Sequence, residues 1–130
     1  MALVRGTTRA GQYALQAAIA AEHASPPPDW RHVADLYARL TELDPSPVIE
    51  LNRAVAVAMA EGPEAGLELI ERLEGGRLED YHLLHAARAD LLKRLGRADE
   101  AKDAYRRARE LTENPAEREL IERRLRELSA

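Results

Sequence analysis

The sequence predicts an all-α fold, and three observations carry that prediction. Pro and Gly fall in short clusters that divide the 130 residues into seven segments. Within the segments, apolar residues return every three to four positions, the period of a helix with one buried stripe. One run, Ala54-Val55-Ala56-Val57-Ala58-Met59, alternates as a half-buried strand would. It lies too far from turn residues on either side to be a short strand, so it reads as helix.

The elements follow in order. Residues 1–10 read as a flexible polar lead. A first helix over 11–24 places Leu15, Ala18, Ile19 and Ala21 at helical spacing, and the run Ser25-Pro26-Pro27-Pro28-Asp29 stops it. Asp29 is a capping residue for a second helix with the stripe Trp30, Val33, Leu36, Tyr37, Leu40 and Leu43. The run 44–47, Asp-Pro-Ser-Pro, ends it, and the Ala-rich third helix continues to Gly62. Pro63 suits the first turn of a fourth helix, with Leu67, Leu69, Ile70 and Leu73 inside. After the break at 74–77, Glu-Gly-Gly-Arg, a fifth helix is expected from about Leu78 to Leu95, closed by Gly96 as a left-handed cap. The sixth covers 98–112. Beyond Pro115 the seventh carries Leu120, Ile121, Leu125 and Leu128 on one side and i,i+4 charge pairs on the other.

Composition narrows the function. The chain has no Cys, which excludes disulfides and thiolate chemistry and leads to the expectation of a cytoplasmic protein. Its net charge is −4, with arginines interleaved among Glu and Asp, so no positive stripe for nucleic acid is expected. No segment approaches the roughly 20 apolar residues of a membrane-spanning helix. The opening residues have no signal-peptide core.

Gly62 and Gly96 stand 34 residues apart, and each closes an Ala-rich helix and opens a more amphipathic one. Another step back lands on Pro28, also in an inter-helix turn, while Tyr37 and Tyr105 are two periods apart. A 34-residue unit of two antiparallel helices is the signature of tetratricopeptide-type solenoids. The expected architecture is therefore a tetratricopeptide-like right-handed superhelix. Three helix pairs, over about 14–47, 48–81 and 82–115, are followed by a capping helix over 115–128. Residues 11–130 form one domain. Small residues in such a repeat let paired helices approach closely.

Little in the chain looks catalytic. His82 and His85 are three apart on one helix, a spacing that can chelate a metal. The plainer account is that His82 flanks the helix start and His85 packs against the preceding helix, because no third ligand motif accompanies them. No enzyme activity, metal or cofactor is expected. The informative residues are polar groups on otherwise apolar helices: Gln16, Asn52, Arg53, Arg88 and Asp90. On first helices of a solenoid they would line the concave groove and contact a partner protein. The alternative is an internal network, with Arg88 or Arg53 paired to Asp90 or Glu50. A carboxylate clamp is not supported, since the third unit has Leu83 and Ala87 at the matching positions.

Three stretches carry a resemblance: 12–24, "QYALQAAIAAEHA"; 36–73, with "LNRAVAVA" inside it; and 81–125, with "YHLLHAARADLL" inside it. Together they resemble the tetratricopeptide-like C-terminal extension of a group of bacterial extracytoplasmic-function sigma factors, over about residues 11–128. Gln12 departs from the Pro usual there, which affects only the entry to the first helix. The resemblance implies a non-catalytic regulatory domain of an RNA polymerase sigma factor. Its partners would be RNA polymerase or the sigma factor's own DNA-binding domains, absent from this chain. A small protein related to YCII is a further candidate partner. The fragment itself is expected to be a monomer that binds neither DNA nor membrane. The competing reading is a stand-alone tetratricopeptide-like scaffold for an unrelated peptide.

Overall fold

The computed structural model describes residues 2–24 and 27–129, with side chains from Gly11 onward. Every regular element among them is helical: α1 (Ala2–Ala24), α2 (Trp30–Leu43), α3 (Pro47–Glu61), α4 (Pro63–Leu73), α5 (His82–Arg94), α6 (Ala98–Leu111) and α7 (Pro115–Ser129). The chain is all-α. No helix among the described residues is long and apolar enough to cross a membrane.

Local chemistry explains most boundaries. The Asp29 carboxylate accepts the His32 N–H at 3.3 Å and starts α2. Pro47, Pro63 and Pro115 open α3, α4 and α7, where a missing N–H costs no helical bond. The Asn114 side chain caps α7 by accepting the Ala116 N–H at 2.9 Å. After α5, Gly96 takes φ +77°, and the Arg97 N–H returns to the Leu92 carbonyl at 3.0 Å. That left-handed step is open to Gly at little cost and strains other residues.

Two boundaries differ from expectation. Residues 2–10, read as a flexible lead, continue the α1 helix. Ser25 and Pro26 of the expected break lie outside the described residues. The fifth helix starts at His82 rather than Leu78, because the Glu79 N–H bonds the Gly76 carbonyl and the Tyr81 N–H the Leu78 carbonyl, forming tight turns. Leu78 is buried all the same. Its place in the apolar pattern reflects burial, not helix.

Each helix packs chiefly on its neighbours in sequence, and α3 also touches α5. The antiparallel pair α1 and α2, with one side of α3, encloses Ile19, Val33, Leu36, Leu40 and Ala56. The other side of α3 joins α4 to α7 around Leu51, Ala54, Leu84, Leu92, Tyr105 and Ile121. The helix α3 therefore stands between two cores, and its alanines face both. On the α4 side the approach is very close. A Cβ added to Gly66 would lie 2.4 Å from the Ala58 Cβ and 2.8 Å from the Ala54 carbonyl oxygen.

The longest-range polar contacts share one spacing. His82 lies 2.6 Å from Glu117, Asp90 2.7 Å from Arg124, Lys93 3.3 Å from Glu127, and Met59 3.1 Å from Arg94. Each pair is separated by 34 or 35 residues. The three α5–α7 contacts advance together along both helices, so α5 and α7 run parallel.

Candidate functional site

At about 100° per residue, α3 divides into arcs. Leu51, Ala54 and Ala58 turn toward α4 and α5, while Ile49 and Ala56 turn toward α2. Val48, Asn52, Val55 and Met59, at i, i+4, i+7 and i+11, share the arc left over, and all four are exposed. The same spacing on α5 gives Leu83, Ala87, Asp90 and Arg94. Between the two stripes and α7 opens a groove of about 330 Å³ lined by Val55, Met59, Ala87, Asp90, Arg94 and Arg124.

Val55 and Met59 keep 38 % and 40 % of their surface in this groove. Both belong to the alternating apolar run read above as helix. A helix apolar nearly all round signals burial, but among the described residues no helix covers α3 on this arc. On α7, Leu120 is likewise exposed, although the pattern placed it on the apolar side.

One wall of the groove is a three-residue clasp. Asp90 Oδ1 accepts from the Tyr105 hydroxyl and from Arg124 Nη1, the latter at 2.7 Å. Tyr105 is fully buried, which pushes its pKa up to about 12; its hydrogen bond to the Asp90 carboxylate acts in the same direction. Arg124 is held above its ordinary pKa by the Tyr105 hydroxyl oxygen beside it and then by the Asp90 carboxylate. The clasp ties α5, α6 and α7 together at mid-height. On the rim, Lys93 pairs with Glu127. The Arg94 guanidinium rests on the Met59 sulfur, and among the described residues no carboxylate is within ion-pairing distance of it.

The five residues singled out in the sequence do not converge. Asp90 lines the groove, engaged by Tyr105 and Arg124. Asn52 is exposed on the same α3 stripe. Arg53 sits about 100° away, half-buried between the positions of Ala56 and Val57, and forms no ion pair among the described residues. Gln16 is exposed on α1. Arg88, two residues before Asp90, points to the opposite side of α5, where its Nε lies 2.6 Å from Glu74 Oε1 without directing the N–H along that line. It belongs to a separate polar depression with Glu79, His85, Asp103 and Arg107. An internal ionic partner for Arg88 therefore exists, but it is Glu74 and not Asp90 or Glu50. The residues missed in the sequence are Met59, Arg94 and Arg124. The 34-residue step connects Asp90 with Arg124, and it was the available signal.

His82 and His85 diverge as well. His85 is 8 % exposed, and its Nε2 donates to the Glu79 carbonyl at 2.7 Å. His82 faces Glu117. Among the described residues no three His, Cys, Asp or Glu side chains gather as a metal site.

The chain is 48 % identical over 126 residues to an uncharacterized protein of Rhizobium meliloti (strain 1021). The alignment covers 94 % of this chain and 30 % of that protein, so the chain spans under a third of the curated relative it matches. The chain matches no protein-family model.

Proposed function

We propose that the chain is a tetratricopeptide-like right-handed superhelical domain of an RNA polymerase sigma factor, acting without catalysis in transcription initiation. It would contact RNA polymerase or the sigma factor's own DNA-binding domains, inside the cell and without binding DNA itself.

The observation that carries the interaction role is the open groove between α3, α5 and α7, with exposed Val55 and Met59 on its floor. Exposed apolar side chains grouped in a concavity are typical of protein-binding surfaces. Support for the superhelix comes from the contacts at 34- and 35-residue separation and from the parallel course of α5 and α7. The sigma-factor reading rests on the sequence resemblance. It agrees with the matched region being 30 % of the Rhizobium relative, as an extension joined to larger domains would be.

The test is transcription in vitro with RNA polymerase and the full-length protein, against a form lacking residues 11–128. Loss of initiation, with the domain co-purifying with polymerase or with the remainder of the protein, supports the proposal. Unchanged initiation rejects it in favour of a stand-alone scaffold. A full-length reading frame without sigma-type DNA-binding regions rejects it directly.

A further inference from the structure

We infer that the groove between α3, α5 and α7 takes a segment of a partner protein that carries one carboxylate beside an apolar side chain, with Arg94 receiving the carboxylate. The inference rests on the interaction role proposed above and specifies its chemistry.

The first ground is charge. Lys93, Arg94 and Arg124 line the groove against one carboxylate, Asp90, in a chain whose net charge is −4. A basic groove on an acidic protein steers acidic partners toward it and disfavours basic ones. The second ground is how those cations are occupied. Arg124 is committed to Asp90 at 2.7 Å, and Lys93 is paired with Glu127 at 3.3 Å. Arg94 has the Met59 thioether as its neighbour, a weak acceptor that leaves most of its five N–H donors open. A carboxylate can therefore bind the guanidinium through two parallel hydrogen bonds without displacing an existing ion pair.

The third ground is adjacency. The sulfur at 3.1 Å puts Arg94 directly over Met59, and Val55 lies one helical turn before Met59 on the same α3 arc. An apolar side chain next to the bound carboxylate would reach this floor, and the unbranched Met can adapt to its shape.

Binding is measured by fluorescence anisotropy with two short labelled peptides, one of alternating Leu and Asp, the other with Lys at every Asp. The wild-type domain should bind the acidic peptide and not the basic one, with affinity falling as salt rises. Arg94→Ala should weaken binding about tenfold or more. Lys93→Ala should weaken it only slightly, and Met59→Glu should abolish it. Arg94 and Met59 are both exposed, so circular dichroism should show each variant folded. Equal binding of the two peptides, no binding of the acidic one, or an unaffected Arg94→Ala variant overturns the inference. Those outcomes leave the transcription assay untouched. Conversely, acidic-peptide binding with unchanged initiation rejects the sigma-factor role while keeping the groove chemistry.

Discussion

Arg124 on α7 and Asp90 on α5 are joined at 2.7 Å across 34 residues of sequence, and the oxygen that accepts Arg124 also accepts the Tyr105 hydroxyl from α6. One carboxylate thus fastens the last helix to the two before it and forms a wall of the groove. Its loss should be felt as stability and as groove shape together.

The clasp should be asymmetric. Asp90→Ala leaves a fully buried hydroxyl and a guanidinium without their acceptor, at a cost of about 1–3 kcal/mol. Arg124→Ala removes a pair that is 36 % and 44 % exposed at its two side chains, so solvent screening limits its cost to about 1 kcal/mol or less. Thermal melts should rank the variants in that order, with Tyr105→Phe between them. A larger drop for Arg124→Ala than for Asp90→Ala would contradict the assigned roles.

The same clasp sets an alkaline limit. Burial, then the Asp90 hydrogen bond, raises the Tyr105 pKa from 10.0 to about 12, so the native state favours the protonated phenol. A group whose folded pKa lies above its unfolded value gives a stability that is complete below the unfolded value. That stability is lost as pH rises toward the folded one. Stability should therefore decline between pH 10 and about 12. Tyr37, whose pKa is also raised by burial, contributes in the same direction. Denaturant midpoints followed across this range should decline less steeply in Tyr105→Phe. An identical slope in both proteins would remove Tyr105 from the account.

Gly66→Ala tests the close approach of α3 and α4. Ala normally improves a helix interior by about 1 kcal/mol over Gly. Here the new methyl would meet Ala58 Cβ at 2.4 Å, the Ala54 carbonyl oxygen at 2.8 Å and Ala58 Cα at 3.0 Å. Two of these atoms belong to backbone and cannot rotate away, so overpacking of about 1–3 kcal/mol should outweigh the propensity gain. The melting temperature should fall, and Ala58→Gly in the same chain should recover part of the loss. A more stable Gly66→Ala protein would mean that the two helices can separate freely.

What the sequence disclosed and what it concealed divide by range. Asp29, Pro63 and Gly96 act on backbone groups within four or five residues, so the helix starts and stops they impose could be read directly. The alanines of α3 were legible as close-contact positions because spacing reveals which residues share a face. Which arc lacks a neighbour is a different matter. Val55 and Met59 are as apolar as the buried positions beside them, and only the placement of α5 and α7 leaves them open. The polar partners were misassigned for a geometric reason. Arg88 and Asp90 are close in sequence, but two residues turn a helix by about 200°, so Arg88 reaches Glu74 and Asp90 reaches Arg124.

His85 offers a test of the loop before α5. Its Nε2 donates to the Glu79 carbonyl at 2.7 Å, holding the turns over 74–81 against the helix. His85→Ala should leave that carbonyl without its donor, at about 1–3 kcal/mol. Hydrogen exchange should then quicken at Glu79 and Tyr81, whose amides close the turns. Zinc should leave the wild-type melting temperature unchanged, because His82 faces Glu117 while His85 faces the Glu79 carbonyl, so the two rings do not converge on one ion. Micromolar zinc binding that disappears in His85→Ala would restore the metal reading.

Asn52 and Arg53 are adjacent in sequence, yet they should behave differently. Asn52 stands on the exposed α3 arc in line with Val55 and Met59, so a larger side chain there would intrude on the groove without entering either core. Arg53 faces the seam with α2, half-buried, and forms no ion pair with Glu50 or any other described residue. Removing one partner of a buried ion pair would cost about 3–5 kcal/mol. With no such pair to break, Arg53→Ala loses only the packing of its aliphatic stem and should lower the melting temperature by a few degrees at most. Asn52→Trp should melt near wild type but weaken binding of the acidic peptide, and Arg53→Ala should bind it normally. A large stability loss in Arg53→Ala would place Arg53 in a buried network. Weakened peptide binding in a stable Arg53→Ala protein would instead extend the groove around α3 toward α2.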